Sequence, residues 1–588
     1  MKLYINLFYQ IDLAQFPLTI EDKKDNQYLD FQGRYVESEF IKNISLEVFS
    51  YNRNKAVKDY TSFISALSTM EINNKHIRSY QFNDLPLFWL TQISEKHLHH
   101  WMMQAILLKE ILTSNSDFFK SYENIYILIP SKLRESQQII QDFFNFLNIE
   151  VQFTILGSSP TRNSYFSLFK TAVKTMFLFF KMKKPELTKD QSNIIFLLAG
   201  NITEYTKKFF INISKLDDQN KKDITLIPLY FWNNPKAKIN YKVPHLFWKT
   251  RPNIYTLLET FYTLFRLLFS IKKIDNKQKI DIDNISYPIA LLVKDFENVI
   301  INSNSLLIMN CWLTRYNKPL IDKVKFFYED EFYPSGRNIS FCLNNKETYG
   351  VQHSMISKNQ SVYHISDIEH KSFDDNKEDG LPLPTKFIVW GKYFKFQFLS
   401  HNSLPENFVY VAGNTTYIKK SSEKKTINKS NKYFNVLYCL TRLEFFLEEK
   451  KILRETLKNI PNVNLIVRFH PLWKIDKKLV SDFFKNMKIT FSREENIFSG
   501  IDNSNLILTS SHSGVWLDAI IAEKPVIRLT TSYEDDINQS DLIHNVATSK
   551  EMENVLQHIL NSDKNTKESD LLYLNKDRWE KLLNETNA

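Results

Sequence analysis

Two segments about forty residues apart carry residue types that could hold a phosphate. Asn464–Pro471 reads NLIVRFHP, an apolar run that ends in Arg468, His470 and Pro471. Leu506–Gly514 reads LILTSSHSG, a second apolar run passing directly into Ser510, Ser511, Ser513 and Gly514. The following Val515–Leu529 (VWLDAIIAEKPVIRL) reads as a helix and a further strand. A strand that enters a helix through a serine turn presents hydroxyls and backbone N–H groups to an anion, and the helix dipole favours negative charge there. Each feature alone has an ordinary alternative: serines cap helices, and a histidine at a strand end can be structural. Together, at equivalent strand ends of one sheet, where doubly wound sheets bind their ligands, they point to a phosphate-bearing ligand between His470 and the serine turn.

The elements that would position these residues are short apolar runs alternating with amphipathic stretches. Candidate strands are Ile125–Pro130, Val151–Leu156, Asn193–Leu198, Ile224–Leu229, Phe387–Trp390, Phe408–Val411, Asn435–Leu440, Asn464–Phe469 and Leu506–Thr509. His99–Leu112 and Leu443–Leu457 carry helical periodicity. Such alternation predicts an α/β protein with parallel sheets. The polar, then proline-rich Lys371–Thr385 (KSFDDNKEDGLPLPT) suggests a hinge. The expected division is 1–380, a large irregular N-terminal domain; 381–570, a regular C-terminal domain; and 571–588, a terminal helix packing back on the first. Lys419–Lys432 reads as a surface loop within the second.

Composition narrows the function classes. The 588 residues hold 76 Lys plus Arg against 66 Asp plus Glu, a formal charge of +10, and 43% are hydrophobic. That is a globular chain of two or more domains. It has only ten glycines, and neither GxGxxG nor GxxxxGK[ST] occurs, so glycine-rich phosphate loops are excluded. Seven of the ten fall between Gly336 and Gly514, where backbone geometry most needs them. Cys311, Cys342 and Cys439 form no CxxC pair, and the N-terminus lacks a secretory pattern, so a reduced cytoplasmic setting is expected. No apolar window is long enough for a transmembrane helix. Phe169–Lys184 and Asn253–Lys273 are aromatic-rich segments ending in lysines. They read either as buried or inter-domain helices, or as cationic surfaces for the cytoplasmic face of the inner membrane. Dispersed lysines without a recognition motif argue against nucleic acid.

The HP dipeptide after a strand, followed by strand, serine pair, turn and helix, resembles the donor half of inverting bacterial glycosyltransferases of the GT-B fold. It looks most like those of surface-polysaccharide assembly: sialyltransferases, capsule-type Kdo transferases and the related teichoic-acid glycerophosphotransferases. Tyr349–Ser354 (YGVQHS), Lys386–Lys392 (KFIVWGK) and Phe408–Asn414 (FVYVAGN) follow the progression typical of such enzymes, and Glu331–Arg337 fits their ExxPxxR pattern. The matching region covers about residues 328–530; the first 300 residues resemble nothing specific.

The resemblance implies a GT-B-like fold of two Rossmann-like domains facing a cleft. It implies a nucleotide-sugar as substrate with no further cofactor or metal, and a glycan or lipid-linked acceptor. His470, Pro471, Ser510 and Ser511 would bind the donor phosphate, joined by Ser513, Gly514 and Arg468 or Arg442. Inverting transfer also needs a base for the acceptor hydroxyl. Glu331 is the choice, with Glu329 and Asp330 as neighbours able to hold the role, and a solvated acidic loop is the plainer alternative. His353 would assist the base or touch the donor. Asp330, Arg337, Gln352, Ser354, Gly391 and Asn414 would line the cleft. A CMP-activated nonulosonic acid or Kdo is the preferred donor. Phosphotransfer from a CDP-polyol and a non-catalytic role in polysaccharide assembly remain open.

Other chemistries find less support. Asp281-Ile-Asp283 spells the DxD of metal-dependent transferases but sits in a polar, lysine-rich stretch. His97, His99 and His100 lack the further ligands of a zinc site and read as a helix start. There is no GxSxG and no kinase motif set.

Overall fold

The structure, a computed structural model, describes residues 2–8, 26–31, 41–43, 53–156, 164–181, 194–198, 224–228, 254–301, 325–414, 433–529, 542–561 and 575–584, with short interruptions inside these ranges. Its frame is three all-parallel sheets. The N-terminal sheet comprises β1 (Lys2–Asn6), β2 (Asn26–Asp30), β3 (Ile41–Asn43), β4 (Asn124–Pro130) and β5 (Gln152–Leu156), in the order β3-β2-β1-β4-β5. The middle sheet comprises β6 (Ile194–Leu198), β7 (Ile224–Pro228), β8 (Lys325–Glu329), β9 (Thr348–Val351), β10 (Lys386–Val389) and β11 (Val409–Val411), in the order β7-β6-β8-β9-β10-β11. The C-terminal sheet comprises β12 (Phe434–Leu440), β13 (Val463–Phe469), β14 (Ile489–Phe491), β15 (Leu506–Ser510), β16 (Val526–Leu529) and β17 (Ile543–Val546), in the order β14-β13-β12-β15-β16-β17.

The principal helices are α1 (Arg53–Leu67), α2 (Trp101–Ser114), α3 (Ser164–Lys181), α4 (Ile254–Lys272), α5 (Ile289–Ile301), α6 (Leu443–Leu457), α7 (Val515–Ile521) and α8 (Lys576–Asn584). The middle and C-terminal sheets are the two Rossmann-like units of the α/β, GT-B-like expectation. The enlargement of the N-terminal half is a third parallel sheet with its own helices.

The C-terminal sheet shows why its strands are continuous apolar runs. All five residues of β15 are buried. Val436, Tyr438, Leu506, Leu508 and Ile527 pack on one face with Phe446, Leu453 and Leu457 of α6. Leu437, Cys439, Ile507 and Val526 alternate to the other face, where Trp516, Leu517 and Ile520 of α7 cover them. A strand covered on both faces has no polar side to display. Reversal of strand order between β12 and β15 creates a topological switch point outside their carboxyl ends, and the middle sheet has its own between β6 and β8.

The unit boundary differs from the expected break near residue 380. β10 and β11 extend the middle sheet, through Tyr349↔Lys386 and Phe387↔Val409, so that sheet continues to Val411 and the next begins at Phe434. The stretch between them includes Lys419–Lys432, which lies outside the described residues. The polar 371–385 segment misled because its neighbours are polar for a buried reason. Ser366 caps a short helix in a capping box with Glu369. Glu369 pairs with fully buried Lys96 at 2.5 Å, and Arg78 lies 3.6 Å from Asp379. Trp89 Nε1 donates to Asp379 O at 2.9 Å. These contacts dock the segment onto the N-terminal unit. Leu381 N donates to Glu369 O, and a Cβ at Gly380 would lie 2.3 Å from His370 O, so only glycine fits that approach.

The last helix packs on the middle sheet. Trp579 of α8 is fully buried with its ring 6.1 Å from that of Phe327, and Lys325 Nζ donates to Leu582 O at 2.8 Å. Arg578 Nη1 donates to Val411 O at 2.8 Å, and Asn575 N donates to Ala412 O at 3.1 Å. Gly413, at φ 84°, turns the chain away from β11 immediately after that contact.

Candidate functional site

His470 directly follows β13, and its backbone N–H donates to Leu440 O, the last residue of β12, at 3.0 Å. Its half-buried side chain therefore stands at the carboxyl edge of the sheet, one strand from the switch point. Arg468 pairs in register with Cys439 and lies on the same sheet face as His470, two residues on. Burial pushes the Cys439 thiol up to about 12 against the opposing pull of Arg468, so this cysteine is a packed core residue.

Across the switch point the chain leaves β15 through the serine turn. Ser513 N donates to Ser510 O at 3.0 Å, and Val515 N donates to Ser513 Oγ at 3.4 Å, the geometry of a turn leading into α7. Ser510 corrects the sequence expectation. It is fully buried, and its hydroxyl donates to Glu449 Oε2 at 3.1 Å, the same oxygen that accepts from Tyr438 Oη at 2.6 Å. The side-chain alternation of β15 sends Ser510 inward to α6, so its hydroxyl is engaged in a core network. Ser513 is also buried, with its oxygen accepting from Val515. Ser511, Pro471 and Arg442 lie outside the described residues.

The middle sheet supplies the opposing side. β8 ends at Glu329, beside its sheet's switch point, which puts 330 and 331 in sequence immediately beyond a strand's carboxyl end. Asp330, Glu331, His353 and Ser354 are themselves outside the described residues. Gln352 is buried, with its N–H donating to Ile388 O at 2.9 Å and its Oε1 accepting from Trp390 N at 3.0 Å. It staples the ends of β9 and β10 together, so its role is positioning. Gly391 caps the helix Lys392–Leu399 in extended backbone, and Asn414 is buried just past Gly413.

Arg337 is a second correction. It is buried rather than cleft-lining; Nε donates to Phe332 O at 3.1 Å and Nη1 donates to Ser94 O. The guanidinium thus clamps the turn before Pro334–Cys342 to the N-terminal unit. Its neighbours include Glu95, whose carboxyl burial pushes up to about 7 against the pull of Arg337; Asp295, which acts on Glu95, is likewise pushed up to about 7 by burial.

The two sides meet. A Cβ built on Gly514 would lie 3.7 Å from Met355 Cγ, so the residue after the QHS motif rests against the end of the serine turn. The DxD pair lies elsewhere: Asp281 and Asp283 belong to the hairpin Lys279–Ile282/Ile285–Pro288, with Asp283 at φ 47° in its turn and Asp281 accepting from Ser286. His100 caps α2, its Nδ1 accepting from Met102 N at 3.3 Å. No cluster of three metal-ligating side chains occurs among the described residues. Sequence reasoning missed Met355 and Glu449; the first is apolar, and the second is an ordinary acidic position on an amphipathic helix.

No protein-family model matches the sequence, and no curated protein matches it. Among solved structures, the chain is similar to a UDP-GlcNAc 2-epimerase from Neisseria meningitidis bound to UDP-GlcNAc, at 12% identity over 67% of this chain and 100% of that one, TM-score 0.39. It is similar to TarM of S. aureus in complex with Fondaparinux, alpha-GlcNAc-glycerol and UDP, at 11% over 67% and 97%, TM-score 0.37. The spinosyn rhamnosyltransferase SpnG is a third, at 8% over 66% and 94%, TM-score 0.33. Such values carry nothing about chemistry.

Proposed function

We propose that the chain is an inverting, metal-independent glycosyltransferase moving a sugar from a nucleotide-activated donor to a cell-surface polysaccharide or lipid-linked glycan. The observation that carries the reading is Met355 against Gly514: it joins the QHS segment of the middle sheet to the serine turn at the switch point of the C-terminal sheet. Two parallel sheets meeting through the motifs beyond their strand ends suit a two-part substrate, donor on one side and acceptor on the other.

In this reading the acceptor oxygen attacks the anomeric carbon from the face opposite the nucleotide. The carbon–oxygen bond to phosphate breaks, and the nucleotide leaves with the electron pair. The acceptor proton passes to the Glu331 carboxylate. Charge growing on the departing phosphate is met by His470, Arg468 or Arg442, Ser511 and the backbone N–H groups of the turn. Ser510 and Arg337 act at one remove, the first by fixing the turn to α6 and the second by anchoring the segment after Glu331. A CMP-activated nonulosonic acid or Kdo is the first donor to try, on the resemblance of the HP and serine motifs.

The test is incubation of the full chain with CMP-, CDP- and UDP-activated donors, reading melting shift and product release with and without EDTA. A CMP-sugar response that survives EDTA is expected. Response to CDP-glycerol alone would replace sugar transfer by polyol-phosphate transfer, and silence with every nucleotide would remove both enzymatic readings.

A further inference from the structure

Helices α3 and α4 are apolar on two faces. In α4, Phe261, Leu264, Leu268 and Ile271 are buried at helical spacing. Yet Tyr255, Leu258, Tyr262 and Phe269 repeat the same spacing on the outer face, at 77%, 50%, 64% and 53% exposure. In α3, Leu168 is buried while Phe166, Phe169 and Val173 are exposed at 68%, 58% and 52%. Eight of the fourteen exposed large hydrophobics among the described residues lie on these two helices. An amphipathic helix of a globular domain turns polar residues outward, and a concentrated apolar surface marks an interaction site.

The helices form one surface. Both pack on α5: Thr171 Oγ1 donates to Ile301 O at 3.0 Å, and Lys272 Nζ lies 3.2 Å from Glu297. Where the end of α4 meets the start of α3, Lys272 Nζ sits 5.3 Å from the Tyr165 ring centroid. Lys273 lies 4.3 Å from the Phe269 ring and Arg266 5.8 Å from the Tyr262 ring. Across 164–181 and 254–279 there are eight Lys or Arg against Glu259 and Asp275. No helix among the described residues is long and apolar enough to cross a membrane.

We infer that α3 and α4 form a docking face for an anionic lipid bilayer, lying on it with the aromatic rings at the headgroup boundary and the cations toward lipid phosphates. Three observations favour a bilayer over a protein. Aromatic rings interleaved with cations suit the headgroup region. The core of a protein interface is depleted of lysine, whereas Lys170, Lys272 and Lys273 are exposed on these helices and their junction. A second copy would bring the same positive charge against it. The inference does not depend on the glycosyl-transfer reading.

Cosedimentation of the full chain with phosphatidylglycerol-rich and pure phosphatidylcholine vesicles tests it. Binding to the anionic vesicles should be at least about tenfold stronger and weaken with salt. The exposed-residue variants Phe166→Ser/Phe169→Ser/Tyr262→Ser/Phe269→Ser and Arg266→Glu/Lys273→Glu should each lose at least about tenfold of that binding. Their melting temperatures should stay near that of the parent. If the aromatic variant does not fold, the charge variant decides. No binding of the parent chain to anionic vesicles, or equal binding by a folded charge variant, overturns the inference. Dimerisation abolished by the aromatic variant without vesicle binding would assign the face to self-association instead.

Discussion

Met355 and Gly514, 159 positions apart in sequence, are neighbours in space: a methyl group on Gly514 would touch Met355 Cγ at 3.7 Å. That separation is ordinary van der Waals contact, so Gly514→Ala should fold normally and keep nucleotide affinity within about twofold. Gly514→Leu adds a branched side chain where Met355 already sits, and overpacking of this kind displaces its neighbours. It should raise the donor Kd at least about tenfold, read by calorimetric titration, with the α6 core unaffected.

The two turn serines should separate. Ser510→Ala removes a buried hydrogen bond to Glu449 and should cost about 1–3 kcal/mol of stability in denaturant unfolding. Donor affinity should stay within about twofold. Ser511→Ala, under the proposed function, should weaken the donor and leave stability unchanged. The reverse pattern would return Ser510 to the ligand.

Glu95 and Asp295 give a pH signature. Burial holds both carboxyls up to about 7, above their ordinary values of 4.5 and 3.8. The folded state therefore binds more protons between those values and 7. Their contribution to stability is fully present at acid pH and is lost as pH rises through about 7. The slope is at most about 1.4 kcal/mol per pH unit for each group. Glu95→Gln/Asp295→Asn should flatten the fall in urea-unfolding free energy between pH 5 and 7 relative to the parent; an unchanged difference curve would show that neither group titrates there.

Much of the frame was legible because buried parallel strands are short, continuous apolar runs. All nine expected strands are present within a residue or two, and α6 has its expected limits, Leu443–Leu457. The first three strands of the N-terminal sheet were not legible: KLYIN and NQYLD mix polar and apolar residues, and β4, the partner of KLYIN, lies over a hundred residues away in sequence. The polar, proline-rich 371–385 stretch gave no sign that the middle sheet continues to Val411, nor that Asp379 and nearby Glu369 are buried in ion pairs with Arg78 and Lys96. At the site, strand ends were readable but side-chain commitments were not. Nothing local to Arg337 announces Ser94 as its acceptor, and nothing local to Ser510 announces Glu449.

In the proposed reaction the donor phosphate is held at His470 and the acceptor proton passes to Glu331. This division of roles is tested most directly by measuring donor Kd and single-turnover rate together for His470→Ala and Glu331→Ala, using the donor that responds in the nucleotide panel. Donor Kd should rise at least about tenfold for the first. For the second, Kd should be unchanged and the rate lowered at least about a hundredfold. Parental Kd in His470→Ala, or parental rate in Glu331→Ala, would contradict it.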